Sequence, residues 1–371
     1  MRLIDAHTHM ELLALKTVPF ENIRSVEELA DFLKRSDVRI AWGWDESMFG
    51  RPLLRRDIDP IDRPILLLRM DAHVGVANRR LIEELGIKGG ELFDEERGYL
   101  RDSLLWEIVD RLKPRGSKMR ELLRQACMRA GKMGIAEVHD FVDYEIALHY
   151  LELSEELPIR VVLMPYYEHY RDVLELMKGK RYENISLGWV KLFVDGSVGA
   201  RTAYLKEPYK DRKGWRGNLF VNAEDIERVI RELEEEGLRV ALHAIGDGAV
   251  EECLRAFEKA KPRLKYHRIE HALLIDREQA IRAKEMNLLL CLQPNFRDFF
   301  KDTYITALGE ERFGRVVPLD MLDSLGVDMI FGSDMMPFDL LYMLSSAERM
   351  LPREKALYYC GGWSDEKSYQ F

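Results

Sequence analysis

Short apolar runs alternate with helix-like segments through most of the chain after residue 117. Together with one run at the amino terminus, eight of these apolar runs are predicted as strands. They start at Leu3, Ile135, Ile159, Val190, Val240, Arg268, Leu288 and Val327. Strands that alternate with helices build a parallel sheet, and eight such units close into a barrel. The pattern therefore predicts an α/β protein whose main body is a (β/α)8 TIM-type barrel.

The segments between these strands have helical patterns, and one of them has both ends marked. Asn222 is a favourable N-cap, and the helical pattern that follows it stops at Gly237, a residue type common after helix ends. The loop before this helix, residues 195–221, is long enough to act as a lid. The remaining helices are predicted over 120–132, 144–156 and 171–177, from 250, from 277, around 321 and over 347–359.

The stretch between the first and second predicted strands does not follow this alternation. A capping box at Ser25 opens one amphipathic helix, and two strand-like runs, 38–42 and 64–70, are separated by proline and glycine. We interpret residues 11–117 as an insertion, and residues 1–10 and 118–371 as the barrel. Because the insertion leaves the barrel after strand one and returns to strand two, we expect it to cover the barrel mouth.

Composition narrows the functional classes. A net charge of −9 argues against the basic surface that nucleic-acid binding requires. No apolar run approaches the roughly 18 residues of a membrane span. The chain starts at its first strand without a leader, and its four cysteines are widely spaced, so we expect a cytoplasmic protein with reduced thiols. Charged residues make up 33%, against about 25% in ordinary domains, which favours a thermophile with surface ion pairs. The expected partner is a small-molecule substrate, and a homo-oligomer is left open.

Ionisable side chains recur late in the predicted strands, where barrel enzymes place their active sites. His7 and His9 are two residues apart, so they project from the same side of the first strand. A histidine pair at this spacing is a weak signal alone, and it becomes specific because further candidates follow in order. These are Lys191, His243, His271 and Asp334.

The chemistry of these residue types favours a metal-dependent hydrolase. Neutral imidazole and carboxylate are good ligands for zinc and similar divalent ions, and a catalytic site keeps one position for water. Metal binding lowers the pKa of that water from 15.7 to about 7, which supplies hydroxide at neutral pH. Asp334 is a candidate general acid and base for this reaction. Lys191 cannot ligate a metal as an ammonium, so it must deprotonate or be modified.

These residues, in this order, resemble the amidohydrolase superfamily of metal-dependent hydrolases. Several short segments are similar in detail to the branch related to N-substituted formamide deformylase. They are 191–197, 201–203, 243–247, 268–272 and 332–334, with 43–45 and 71–73 in the insertion. Members of that branch usually flank the barrel with a small β-sandwich built from both chain ends. This chain starts at the histidine motif and stops at Phe371, so we expect the sandwich to be absent.

The resemblance implies a more detailed site. It implies two divalent ions, zinc first, held by His7, His9, His243, His271 and Asp334, with Lys191 carbamylated by carbon dioxide and bridging the ions. It also implies hydrolysis of a carbon–nitrogen bond of the amide or formamide type, other than a peptide bond. The candidate substrate-binding residues are Trp44, His73, His139, Asp195 and Arg201.

Several alternatives stay open at this point. His139 could instead be a hydrogen-bonded histidine that supports a turn, and Asp247 is interpreted as the cap of the next helix. The same scaffold and ligands serve lactone hydrolases, phosphoester hydrolases and deaminases, so neither the fold nor the metal selects the reaction. A non-catalytic, metal-stabilised binding protein is a third hypothesis, and the presence of Asp334 argues against it.

Overall fold

The computed structural model describes residues 2–70, 74–90 and 92–362. It divides into two compact units, one formed by Glu11–Ala126 and the other by Met1–Met10 with Cys127–Phe371. The strands, in chain order, are β1 Leu3–Thr8, β2 Ile40–Trp44, β3 Leu66–Arg69, β4 Val74–Ala77, β5 Phe93–Asp94, β6 Tyr99–Arg101, β7 Ile135–Val142, β8 Arg160–Pro165, β9 Ile185–Leu187, β10 Val190–Phe193, β11 Val240–Ala244, β12 Arg268–His271, β13 Leu289–Leu292 and β14 Met329–Phe331.

Helices follow most of these strands. They are α1 Met10–Ala14, α2 Val26–Arg35, α3 Glu46–Phe49, α4 Arg55–Ile58, α5 Arg79–Leu85, α6 Asp102–Leu112, α7 Gly116–Lys132, α8 Tyr144–Leu153, α9 Tyr170–Met177, α10 Ala223–Glu235, α11 Asp247–Ala260, α12 Arg277–Glu285, α13 Pro294–Phe299, α14 Lys301–Leu308, α15 Glu310–Phe313, α16 Leu319–Leu325, α17 Leu340–Ala347 and α18 Arg353–Leu357. No helix in the described part of the chain combines the length and apolar character needed to cross a membrane.

The larger unit contains two parallel sheets, with strand orders β1-β7-β8-β9 and β10-β11-β12-β13-β14. The predicted parallel α/β architecture is therefore confirmed. The predicted fourth strand, from Val190, corresponds to β10, and the short strand β9 before it was not predicted. The segment 185–193 is split between the sheets, because β9 pairs with β8 whereas β10 pairs with β11. Only Gly188 and Trp189 lie between the two pieces. Gly188 donates to the carbonyl of Leu163, and a Cβ at this glycine would lie 2.7 Å from the side chains of Val162 and Met164. This close approach requires glycine at the split.

Two backbone hydrogen bonds join the sheets near the strand ends. The N–H of Tyr167, after β8, donates to the carbonyl of Lys191 in β10 at 2.9 Å. The N–H of Asp334, after β14, donates to the carbonyl of His7 in β1, also at 2.9 Å. An apolar core draws on strands of both sheets and is formed by Ile4, Ala6, Phe141, Val162, Met164, Trp189, Ala241, Leu289, Cys291 and Ile330.

Several predicted boundaries were wrong. His139 and Asp140 were expected to end the second predicted strand, but β7 continues to Val142, so both residues lie inside it. The segment 347–359 is not one helix, because α17 ends at Ala347 and Pro352 then precedes α18. Helices α13, α14 and α15 after β13 were not predicted. Proline at the start of α13 and glycine between α14 and α15 divide this region into pieces too short for a clear period.

The smaller unit has its own mixed sheet, in the order β2-β3-β4-β6-β5. Strands β2 and β3 pair in parallel, and the remaining pairs are antiparallel. Ser25 caps α2 by accepting the N–H of Glu28, as its capping-box pattern predicted. The unit encloses a core of its own around Phe20, Leu29 and Leu67. That this segment covers a barrel mouth stays a prediction.

Candidate metal centre

Six predicted ligands converge at the carboxyl ends of the strands in the larger unit. The ring centroids of His7 and His271 lie 4.7 Å apart, and those of His243 and His271 lie 4.5 Å apart. The ring of His9 lies 5.5 Å from that of His7. These residues come from β1, β11 and β12, or directly follow β1, so neighbouring strand ends bring them together. Lys191 in β10 and Asp334 after β14 complete the cluster.

Asp334 lies between the histidines. Its Oδ1 is 3.4 Å from the Nε2 atoms of both His7 and His9. Candidate ligand atoms of His7, His271 and Asp334 all lie within 4.8 Å of one another, close enough to share one metal ion. These three side chains therefore form the best-defined cation site of the cluster.

Two of these side chains belong to residues with a strained backbone conformation. His271 has φ 72° and Asp334 has φ 50°, values in the left-handed region that non-glycine residues rarely adopt. Asp334 is held there because buried Asp5 accepts both the N–H of Ser333, at 2.7 Å, and its hydroxyl, at 2.5 Å. Gly332 permits this contact, since a Cβ there would lie 2.4 Å from the backbone nitrogen of His7. Strain of this kind at a strand end is typical of functional sites.

His7, His243 and His271 each have one ring nitrogen engaged outside the cluster. His7 Nδ1 lies 2.6 Å from Glu270 Oε2, and His271 Nδ1 lies 2.7 Å from Gln293 Oε1. His243 Nε2 lies 3.2 Å from the carbonyl of Gly196. Oxygen acceptors require a hydrogen on the facing nitrogen, so the other ring nitrogen carries the lone pair. Such outer partners orient histidines for metal binding.

The electrostatics of the cluster keep these imidazoles neutral. Burial, reinforced by neighbouring cationic groups, holds the pKa values of His7 and His271 well below the usual range and lowers that of His243 to about 3. A neutral imidazole is the form that ligates a metal. The cluster therefore offers lone pairs and a carboxylate at neutral pH.

Lys191 is buried beside these imidazoles. Its Nζ lies 4.0 Å from the ring centroid of Phe141 and 5.0 Å from that of Phe193. Burial is the largest effect on this amine and lowers its pKa to about 8, although the charges of Glu270 and Asp334 oppose the shift. An amine in this setting has a large neutral fraction near physiological pH.

A second group that could hold a cation is His7, Glu270 and Cys291. Both carboxylate oxygens of Glu270 already face Arg268, at 2.8 and 2.9 Å, and that guanidinium would repel a metal ion. Burial also raises the pKa of the Cys291 thiol well above its usual range, so the thiolate needed for ligation is disfavoured. The group with Asp334 is therefore the better cation site.

The predicted substrate-binding residues do not all join this cluster. Trp44 is fully buried in the core of the smaller unit, and its indole N–H donates to the carbonyl of Leu67. His73 lies outside the described residues. His139 is fully buried, and its two ring nitrogens face Glu137 at 3.0 Å and Arg268 at 2.9 Å. These contacts favour a structural histidine over a substrate contact.

The other two candidates organise the loop that follows β10. The guanidinium of Arg201 pairs with Asp211 at 2.6 Å and donates to the carbonyls of Val198 and Gly199. Asp195 is fully buried and lies 3.7 Å from His243 Nε2, and burial raises its pKa to about 7 although backbone N–H groups oppose the shift. Both side chains therefore already have polar partners within the protein.

Asp195 fastens this loop to the neighbouring strand. Its carboxylate accepts backbone N–H groups from Tyr204, Ile245 and Gly246 at 2.8 to 2.9 Å. Asp195→Ala should therefore lower the free energy of unfolding by about 3 kcal/mol, because buried donors lose their acceptor. Urea unfolding measures this loss, and folded enzyme should keep the wild-type KM. A raised KM with unchanged stability would instead place Asp195 against the substrate.

Sequence reasoning missed three polar residues beside the centre, namely Arg268, Glu270 and Gln293. A signal for the first two was present, since charges two residues apart in a strand point to one side and contradict an apolar interior. The interpretation of Asp247 was wrong, because Gly246 is the N-cap of α11 and the Asp247 carboxylate accepts the N–H groups of Lys206 and Gly248.

Several known proteins are similar to this chain in sequence and fold. The chain is 30% identical to the amidohydrolase-family protein YtcJ of Bacillus subtilis, in an alignment that covers 93% of this chain and 72% of that protein. It is 32% identical to the crystal structure of an uncharacterized metal-dependent hydrolase from Pyrococcus furiosus, with a TM-score of 0.82, covering 98% of this chain and 81% of the other. A second uncharacterized metal-dependent hydrolase, from Pyrococcus horikoshii, is 27% identical with a TM-score of 0.83, covering 98% and 80%. A sequence model described as "Amidohydrolase family" matches residues 3–370. The chain belongs to the amidohydrolase family.

Proposed function

We propose that this protein hydrolyses a carbon–nitrogen bond of the amide or formamide type and depends on divalent metal, zinc first. The observation that carries this proposal is the convergence of His7, Lys191, His271 and Asp334, with their neighbours His9 and His243, at one end of the parallel strands. Membership of the amidohydrolase family and the metal-dependent hydrolases among its structural neighbours support a hydrolase.

The residues present fit a divalent cation. Three neutral imidazoles have their outer nitrogens engaged, so their remaining lone pairs are available, and Asp334 adds a carboxylate. Nitrogen and carboxylate donors of this kind suit zinc. Bound there, a divalent ion would lower the pKa of a water and polarise a carbonyl oxygen. We propose two ions held among His7, His9, His243, His271 and Asp334, of which His7, His271 and Asp334 lie close enough to share one.

Asp334 is positioned to move the proton in this reaction. Its side chain is only 13% exposed, and its Oδ1 faces the Nε2 atoms of His7 and His9. As the water oxygen bonds to the carbonyl carbon, the carboxylate takes a proton from that water. When the carbon–nitrogen bond breaks, the same carboxyl group returns the proton to the leaving nitrogen.

Lys191 is proposed to carry a carbamate. Its buried neutral amine can bond to the carbon of carbon dioxide and release one proton, which leaves an anion with two oxygens. That anion would offer two oxygen ligands and a negative charge where the residues present could hold divalent ions. The burial of Nζ supports this modification, because desolvation lowers the pKa of Lys191 and favours the neutral amine from which the carbamate forms.

A closed (β/α)8 barrel is part of this proposal. Its support is the two backbone hydrogen bonds that join the sheets, from Tyr167 to Lys191 and from Asp334 to His7. A closed ring of strands would surround the centre with all eight strand ends.

The proposed function predicts a metal requirement and a bond preference. Protein purified without chelator should contain close to two divalent ions per chain, and chelation should abolish turnover until zinc is returned. Against a panel of amides, formamides, lactones and phosphoesters, the amide or formamide class should react fastest. Elemental analysis and the panel measure these outcomes. A low metal content that added zinc does not raise would contradict the proposal. Faster hydrolysis of a lactone or a phosphoester than of any amide or formamide would also contradict it.

A further inference from the structure

A chain of buried polar side chains leads from His7 away from the centre. Glu270 Oε2 lies 2.6 Å from His7 Nδ1 and accepts from Arg268 Nη2 at 2.9 Å. Arg268 Nε lies 2.8 Å from the other oxygen of the same carboxylate. Arg268 and Glu270 are both fully buried. They face the same side of β12, because their positions differ by two.

The guanidinium is fixed from several directions. Its Nη2 also donates to the carbonyl of Ala6 at 2.8 Å, and its plane lies over the Trp189 ring, with 4.7 Å from Cζ to the centroid. Its Nη1 lies 2.9 Å from His139 Nδ1, and His139 Nε2 lies 3.0 Å from Glu137 Oε1. The geometry of Glu270 is therefore set by contacts outside the metal centre.

Stability alone does not account for this ion pair. Desolvation of two charges in an apolar interior consumes much of their attraction, and apolar residues of similar volume are often as stable. The core of the unit contains apolar residues such as Ala241, Leu289 and Ile330, so apolar side chains in place of the ion pair could pack against them. What apolar residues could not supply is a directed, charged acceptor for His7.

Counting donors and acceptors assigns the tautomers of two histidines. Arginine has no acceptor atom, so the nitrogen of His139 that faces it carries the lone pair, and the hydrogen lies on the nitrogen facing Glu137. At the other end, the Glu270 carboxylate beside a permanent cation is an acceptor only, so His7 carries its hydrogen on Nδ1. His7 Nε2, 3.4 Å from Asp334 Oδ1, then keeps its lone pair.

We infer that Arg268 and Glu270 are positioning residues that lock His7 in its Nδ1–H tautomer and strengthen it as a metal ligand. The inference rests on the proposed metal centre. An anionic acceptor makes an imidazole a stronger ligand than a neutral one does. The corresponding partner of His271 is the neutral amide of Gln293. We therefore expect His7 to be a stronger metal ligand than His271.

The tautomer can be read directly in the full-length protein. Selective ¹⁵N labelling of its nine histidines, with His7→Gln to assign the His7 signal, gives the protonation of each ring nitrogen by two-bond correlation spectra. We expect a hydrogen on Nδ1 of His7 both before and after chelation of metal. A hydrogen on Nε2 alone, or on both nitrogens, in the chelated protein would overturn the inference. This readout needs neither a bound metal nor turnover.

Glu270→Gln tests the effect on metal. An amide cannot accept from both Arg268 nitrogens and from His7, so His7 loses its fixed orientation. Zinc affinity, measured by competition with a chromophoric chelator, should fall 10- to 100-fold. Glu137→Gln is the matched control, because it also removes a buried carboxylate from a histidine, but its amide oxygen can still accept from His139 Nε2, so His139 keeps its contact with Arg268. It should change zinc affinity less than about twofold.

The possible outcomes separate the inference from the proposed function. Wild-type affinity in Glu270→Gln, or an equal loss in Glu137→Gln, would overturn the positioning role. If Glu270→Gln does not fold, the His7 spectrum of the wild-type protein decides alone. If the wild-type protein binds no divalent metal, the proposed function fails, while the spectrum of His7 still decides the tautomer.

Discussion

Lys191→Ala is expected to lose one of two bound divalent ions and to lower kcat by roughly 100- to 1000-fold, since a metal ion contributes several kcal/mol to transition-state stabilisation. The reason is charge. Two divalent ions bring four positive charges to a centre where the histidines are neutral and Asp334 supplies one negative charge. If Lys191 carries the proposed carbamate, the substitution removes the anion that would offset this charge. Metal content by elemental analysis and kcat at saturating zinc measure the two effects.

Chemical rescue distinguishes a missing ligand from a damaged fold. Acetate or formate should restore part of the activity of Lys191→Ala, because a small carboxylate can occupy the space that the side chain leaves. Lys113→Ala is a suitable control, since Lys113 is also buried but is paired with Glu11 at 3.1 Å and Asp110 at 3.4 Å. The control should keep both ions. Crystals grown with bicarbonate and zinc that show an unmodified Lys191 amine away from any metal would contradict the carbamate.

The convergence of the candidate ligands could be predicted because it depends on local rules. His7 and His9 follow from the period-two alternation of a strand, and His243 and His271 from the tendency of barrel sites to lie at strand ends. Those rules need only the order of strands along the chain. They predict which side chains lie near one another but not the distances between them. In the structure the four histidine rings lie close together.

The features that were missed depend on contacts between distant parts of the chain. Glu270 and His7 are 263 positions apart, and Gln293 approaches His271 from the following strand. The split of the segment 185–193 at Gly188 depends on the side chains of Val162 and Met164 across the sheet. The sequence marks Arg268 and Glu270 as charges within an apolar strand, but it gives no local signal for which histidine an outer partner contacts.

Asp334→Asn should lower kcat by about 100- to 10000-fold with little change in KM, because the amide can neither take a proton from water nor return one to the leaving nitrogen. The substitution keeps the size of the side chain. It also keeps the hydrogen bond from the residue 334 N–H to His7 and the anchor of Ser333 on Asp5, so the loop after β14 should stay in place. Steady-state kinetics at saturating zinc, with thermal unfolding as a check, measure the effect.

A matched control lies five residues further along the same segment. Asp339 caps α17 by accepting the N–H groups of Leu341 and Tyr342, and asparagine caps a helix about as well as aspartate. Asp339→Asn should therefore leave both stability and kcat unchanged. Loss of activity in Asp334→Asn that excess zinc reverses would make Asp334 a ligand alone. An unchanged kcat at saturating zinc would remove it from proton transfer, and the base would then have to be a different group at the centre.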